Sequence, residues 1–345
     1  MIKAGIIGAT GYAGQNLVWL LRQHKYIEID FLCSHNNTNI PFSQVYPNHM
    51  GYMDIHCIDI QSAMDRFTDI DVLFIALPHG KSFELAAKAL EAGIKVVDLG
   101  ADFRLKNDST YKLWYGLDHQ STGLLTKAVY GLPETNKKAI IGAELVANPG
   151  CYPTASILAL TPLLSNNIIE KFSIIIDAKS GVSGAGRTAD VSTLYCECNE
   201  SIKAYGIASH RHTPEIEQEL SRAADAELVV SFTPHLIPMN RGILATCYGT
   251  LTKAVEQDEV VEMFKEFYRD CPFVRIVDSL PETRWVKGTN LCDIAIRIDK
   301  RTNRIIVVSA IDNLIKGASG QAVQNMNIMF GLKETEGLDL LAMIP

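Results

Sequence analysis

Along the first third of the chain, short apolar runs alternate with segments whose apolar positions recur every three or four residues. Residues 2–8, 29–33, 72–77 and 95–99 are almost continuously apolar and rich in Ile, Val and Leu. Such runs predict strands buried on both faces. Residues 15–22 and 83–92 carry a helical period, and Gly93 supplies a stop for the second helix. Strands alternating with helices predict a parallel sheet covered on both sides. The pattern changes after residue 151. A helical stretch at 154–164 precedes strands at 173–178, 228–233, 243–251, 273–277, 291–298 and 304–311, with one strong helix at 258–269 among them. A last helix is expected at 317–332. The second half therefore predicts an α+β unit with a mixed or antiparallel sheet, one face of which must be covered by helices or by a second subunit.

Composition narrows the classes. The chain has 345 residues, long enough for two domains with cores of their own. With 47% hydrophobic and 21% charged residues it reads as an ordinary globular protein. A net charge of −7 and the absence of any basic stripe argue against a nucleic-acid partner. No apolar run approaches the roughly 20 residues of a membrane span, so no membrane partner is expected. Met1 leads directly into the first strand without the apolar region of a signal peptide, which predicts a cytoplasmic protein. Eight cysteines are scattered without any Cys-x-x-Cys pair, so neither a disulfide framework nor a metal site is expected.

Two segments carry candidate chemistry. The first is the turn Gly8-Ala9-Thr10-Gly11-Tyr12-Ala13-Gly14, placed between the first strand and the first helix. A tight turn, little Cβ bulk and a helix N-terminus suit the pyrophosphate of a dinucleotide. NAD sites usually place a carboxylate at the end of the second strand for the ribose 2′-OH. Here that end reads Cys33-Ser34-His35-Asn36-Asn37-Thr38, with no acid, so NADP is the expected cofactor and Ser34 its contact. The second segment is Asn148-Pro149-Gly150-Cys151-Tyr152-Pro153-Thr154. A thiol at the start of a helix faces free backbone N–H groups and the positive end of the dipole, which favour thiolate. Most free cysteines are small buried hydrophobes, but this placement makes Cys151 the expected nucleophile.

The order of these features resembles the semialdehyde dehydrogenase superfamily, and within it the N-acetyl-γ-glutamyl-phosphate reductases. The resemblance runs over essentially the whole chain. It rests on GATGYAG (8–14), LPHG (77–80), DLGADFRL (98–105), YGLPE (130–134), NPGCYPT (148–154), SGVSGAGR (180–187), HRHTPEIEQEL (210–220) and HLIPMNRGI (235–243). It implies an α/β fold: a Rossmann-type parallel-sheet NADP domain plus an α+β mixed-sheet catalytic and dimerisation domain. The expected boundaries are 1–148 with 314–345 for the first and 149–313 for the second. The implied reaction reduces an acyl phosphate to an aldehyde with NADPH through a thioester on Cys151, with a small-molecule acyl phosphate as substrate and a homodimer or homotetramer as the working form.

The same resemblance places a catalytic histidine in the 210–220 motif. His212 is the chosen base and His210 the alternative; the two would share a face if their segment were extended. A substrate bearing phosphate and carboxylate calls for fixed cations, and Arg104, Arg211 and Arg241 are the candidates. Ser183 and Gly184 are expected beside the nicotinamide, Pro78 and His79 at the carboxyl end of the parallel sheet, and Asn313 on the nicotinamide amide. Rival readings are a related reductase of aspartyl or aminoadipyl phosphate and a catalytically silent dinucleotide-binding regulator. Replacing Ser34 with Asp is expected to move preference from NADP toward NAD; unchanged kinetics with both cofactors would remove the assignment.

Overall fold

The near-continuous apolar runs of the first half become a parallel sheet, because strands buried on both faces leave no polar side to alternate with. The strands are β1 (Ile2–Ile7), β2 (Ile27–Cys33), β3 (Val72–Ile75), β4 (Lys95–Asp98), β5 (Val129–Tyr130) and β6 (Leu145–Ala147). All pairings are parallel, in the order β2-β1-β3-β4-β6-β5. The structure is a computed structural model describing residues 1–343. It divides into two units: Met1–Pro149 with Ala318–Asp339, and Gly150–Gly317 with the tail from residue 340.

In the first unit, the helix Phe83–Glu91 turns Phe83, Leu85, Ala86 and Ala89 into a core with Phe31, Leu73, Ile75, Phe103 and Tyr111. Each such large side chain contributes about 1.5–3 kcal/mol on full burial. Gly93 closes this segment at φ 79°, a left-handed position that favours glycine. The helix Tyr12–Arg22 buries Leu17, Val18, Leu20 and Leu21, and the helix Gly320–Met329, buried throughout, packs against it. The strand order runs outward from β1 to β2 on one side and to β3 on the other. The crevice of such a sheet opens at the carboxyl ends of these central strands. Both the 8–14 turn and residues 76–80 start there.

The second unit holds a mixed sheet. Its strands are β7 (Ile175–Gly181), β8 (Lys203–Ala204), β9 (Ser231–Ile237), β10 (Ile243–Thr250), β11 (Val274–Ile276), β12 (Cys292–Asp299) and β13 (Arg304–Ile311), in the order β11-β12-β13-β10-β7-β9-β8. Along β10 burial alternates: Ile243, Ala245 and Cys247 are buried, while Leu244, Thr246 and Tyr248 are half-buried. The helices Cys151–Ser165 and Gln257–Phe267 lie against the sheet, and Thr213–Ala224 packs on the first of them. Among the described residues no helix is long and apolar enough to cross a membrane.

Several sequence expectations are corrected. The strand expected at 228–233 begins only at Ser231, because Ser221 Oγ and Glu217 Oε1 accept the Leu228 and Val230 amides, 3.1 Å each. The last helix is not regular from residue 317. Residues Ile315–Ser319 form a π-helical turn before Gly320–Met329, an irregularity frequent at functional sites. After β7, Val182–Ala185 form a 3₁₀ turn.

Candidate active site

In the first unit the three glycines of the 8–14 turn have different physical reasons. Gly8 lies at φ 83°, and a Cβ there would stand 2.3 Å from the Ala76 carbonyl oxygen. A Cβ on Gly14 would stand 2.2 Å from the Gly8 oxygen. Neither position admits a side chain. Gly11 has an ordinary φ of −76°, and its nearest neighbour would be Gly8 oxygen at 3.5 Å. Nothing in the fold demands glycine at position 11, so the bare surface there is available to a ligand. Gly11 is also the N-cap of the helix Tyr12–Arg22, with no side chain capping it. Uncapped amides with a bare approach fit a pyrophosphate.

Beside this turn, Thr10 Oγ1 and Ser34 Oγ share a hydrogen bond of 2.6 Å, and Asn37 Nδ2 donates to both at 3.3 Å. Tyr46 donates its hydroxyl to the Thr10 carbonyl at 3.0 Å and braces the turn from outside. Ser319 Oγ does the same to the Ala13 carbonyl at 2.7 Å. A hydroxyl and amide cluster at the end of β2 suits a 2′-phosphate better than a 2′-hydroxyl. Pro78 and His79 follow β3, and the His79 ring meets Tyr115 at 5.4 Å.

Arg104 is buried. Its Nε donates to the Asn148 carbonyl and its Nη2 to the Leu99 carbonyl, both at 2.8 Å. These contacts knit the chain after β4 to the chain after β6, which gives Arg104 a scaffolding task.

In the second unit Cys151 is the first residue of the 15-residue helix Cys151–Ser165. Its N-cap, Gly150, brings no side-chain cap. The Gly150 N–H donates to Glu215 Oε1 at 2.8 Å, and Glu215 is 1% exposed. A Cβ on Gly317 would come within 2.7 Å of Cys151 Cβ, so glycine at 317 leaves the thiol its place. Cys151 is partly exposed, whereas Cys33, Cys57, Cys247 and Cys292 are buried. Burial pushes the Cys33 thiol up to about 12. Cys196 and Cys198 lie in a four-residue helix with little dipole to offer.

The histidine segment is not extended. His212 is the N-cap of the helix Thr213–Ala224, at φ −79° and ψ −13°, with Pro214 in the first turn. The two rings nevertheless meet, with centroids 4.9 Å apart, because the chain turns and His212 N–H donates to His210 Nδ1 at 3.1 Å. Tyr152, Tyr205 and Phe232 surround His210 at 5.6, 5.5 and 5.4 Å. Burial first, then the Arg211 charge, lower its pKa to about 4. His210 is therefore neutral near pH 7, with Nδ1 accepting and its proton on Nε2. Arg211 itself is exposed. Tyr152 and Tyr205 share a hydroxyl contact of 3.0 Å; burial, the partner phenol and the Cys151 charge push the Tyr152 phenol up.

Arg241 binds buried Asp312 with Nε and Nη2, at 3.0 and 2.9 Å, and Asp312 also accepts the Gly288, Leu314 and Ile315 amides. Asn313 donates to Ser183 Oγ at 3.0 Å and accepts the Gly242 amide at 2.7 Å, so it fastens the 183–184 turn and keeps a second N–H on its amide. Ser183 is half-buried and Gly184 exposed, with Ser180 Oγ 3.0 Å from where a Gly184 Cβ would stand. The sequence reading missed Glu215, Tyr205, Asp102 and Asp312. Only Glu215 carried a signal, as the acid three positions after His212 at a helix start.

The semialdehyde dehydrogenase NAD binding domain family matches residues 3–143, and the semialdehyde dehydrogenase dimerisation domain family matches 151–313. The chain is 53% identical over 344 residues to an N-acetyl-γ-glutamyl-phosphate reductase of Clostridium novyi, covering 100% of both chains. It is 53% identical over 347 residues to that of Alkaliphilus metalliredigens, again covering 100% of both. Its fold is like that of aspartate semialdehyde dehydrogenase II from Vibrio cholerae, with a TM-score of 0.73 and 18% identity over 95% of this chain and 98% of the other.

The glycines make a prediction. Gly14→Ala is expected to lower stability by about 1–3 kcal/mol through overpacking. Gly11→Ala should leave the melting temperature in place while weakening NADPH binding about tenfold. Full NADPH affinity in Gly11→Ala would mean that no phosphate meets this turn.

Proposed function

The chain belongs to the N-acetyl-γ-glutamyl-phosphate reductase family, and from that premise we propose that it reduces N-acetyl-γ-glutamyl phosphate to N-acetylglutamate 5-semialdehyde with NADPH, releasing phosphate, in arginine biosynthesis. The observation that carries the reading is Cys151, partly exposed at the first position of a long uncapped helix and bordered by the paired histidine segment.

The chemistry follows from what each side chain can do. The Cys151 thiolate attacks the acyl carbon; a C–S bond forms, the C–O bond to phosphate breaks, and phosphate leaves. NADPH, when bound, supplies the hydride that reduces the resulting thioester carbonyl. Collapse of the tetrahedral centre breaks the C–S bond, frees the aldehyde and restores the thiolate. His212 is the group that takes the thiol proton. His210 is a poor base, because its low pKa opposes protonation and its Nδ1 already accepts the His212 amide. Its role is to hold the backbone that carries His212. Glu215 sits one helical turn beyond His212 and grips the Gly150 amide. It thereby ties the base's helix to the start of the nucleophile's helix.

Thr10, Ser34, Gly8, Gly11, Tyr12, Ala13 and Gly14 would hold NADP, with Pro78 and His79 across the crevice and Ser183 and Gly184 in the second unit contributing to cofactor binding. Arg104, Arg211 and Arg241 are the cations proposed for the substrate's anions; Arg211 is exposed next to His210, and Arg104 and Arg241 also make bonds within the protein. The half-buried face of the second sheet and the matched dimerisation family support a homodimer or homotetramer, and a cytoplasmic setting belongs to the same reading. An aspartyl phosphate substrate rests only on fold likeness at 18% identity.

Phosphate-dependent NADP reduction by N-acetylglutamate semialdehyde, assayed in reverse, tests the substrate. Faster turnover with aspartate semialdehyde would reverse the choice. Cys151→Ala should lower turnover by about a thousandfold or more while NADPH still binds; an active variant would end the thioester mechanism. His212→Asn should lose about a hundredfold or more in kcat and His210→Asn less, and the opposite ranking would exchange their roles.

A further inference from the structure

The carboxylate at Asp102 lies in the first unit, is fully buried, and is used by none of the chemistry above. It accepts three hydrogen bonds. Gly80 N–H reaches Oδ1 at 2.6 Å, Ser82 N–H reaches Oδ2 at 2.9 Å, and the Tyr111 hydroxyl reaches Oδ1 at 2.7 Å. The Asp102 carbonyl in turn receives His119 Nε2 at 2.7 Å. A second buried carboxylate, Asp98 at the end of β4, takes Ser82 Oγ at 2.8 Å and Gly100 N–H at 3.1 Å. Two acids therefore converge on the turn that leaves β3.

A buried carboxylate is costly unless it is fully hydrogen-bonded, and here the donors are the backbone of one turn. All three contacts use the Asp102 oxygens as acceptors. Asp98 is the partner that takes up the charge conflict; burial and then the Asp102 charge push it up to about 7. Gly80 stands at φ 79°, a conformation that favours glycine and that an amide contact can hold in place. Tyr111 is itself locked, fully buried and stacked on Tyr115 at 4.7 Å, and Tyr115 meets His79. Both supports of the 78–82 turn, the amide bonds and the aromatic stack, thus lead to the same carboxylate.

We propose that Asp102 is the positioning residue for the cofactor-facing turn at Pro78–His79, setting affinity for the dinucleotide through the Gly80 and Ser82 amides without touching it. The proposal rests on the reading above that Pro78 and His79 meet NADP. Loosening these amide contacts predicts a change confined to binding.

The test compares Asp102→Asn, Tyr111→Phe and His79→Ala in the full-length enzyme, by NADPH titration and steady-state kinetics. Asp102→Asn replaces one acceptor by a donor that faces an amide N–H. It is expected to raise KM and Kd for NADPH about tenfold while kcat at saturating NADPH falls no more than about threefold. Tyr111→Phe removes one of the three donors and should weaken NADPH about two- to threefold. It decides the question if Asp102→Asn does not fold. Weaker NADPH binding in His79→Ala with native affinity in both other variants overturns the role of Asp102. Native affinity in His79→Ala instead overturns the placement of the turn at the cofactor. A loss of kcat larger than the rise in KM in Asp102→Asn would mean a general structural role and also overturns the proposal.

Discussion

Everything chemical in the second unit depends on how one helix begins. The helix Cys151–Ser165 starts on a glycine with no side-chain cap, which places the sulfur at the positive end of its dipole. Buried Glu215 holds the one amide just outside the helix, that of Gly150. This contact fixes the entry of the chain into the helix. An aspartate or serine N-cap in place of Gly150 would stabilise the helix by only a few tenths of a kcal/mol, so the glycine here costs the fold little. The glycine at 317 is imposed by contact, since any side chain there would press on Cys151.

The first unit repeats the device with a different purpose. The helix Tyr12–Arg22 also begins on an uncapped glycine after a strand. There the free amides await an anion instead of activating a nucleophile. The three glycines of that turn look equivalent as letters, but two are imposed by backbone contacts inside the protein and one is not. That distinction separates a turn that must be tight from a turn that must also be bare.

The parallel sheet, the change of architecture after residue 151, the glycine turn and the cysteine were all legible in the sequence, because each rests on local composition or period. Short strands were not: β5, β6 and β8 have two or three residues, too few for a period to emerge. The mispredicted start at 228 has a cause of its own. Leu228 and Val230 are apolar, but side chains of the preceding helix occupy their amides, and no pattern of apolar positions records that. The histidines came together for a reason other than the expected one. A strand would have aligned them by its two-residue repeat; a helix start aligns them through the Nδ1 contact.

The arginines show where residue type misleads. Arg241 reads as an anion binder, but its partner is Asp312, fully buried and already holding three amides. Removing one member of such a pair costs about 3–5 kcal/mol, because the other is left charged without its counterion. Arg104 likewise donates to two backbone carbonyls that no sequence motif announces. A guanidinium has five donors, so an arginine can organise a fold and a charge distribution at once. In this chain Arg104 and Arg241 help set the frame, whereas Arg211 is exposed and its charge bears on His210. Burial is the main reason that His210 stays neutral, and the Arg211 charge adds to it.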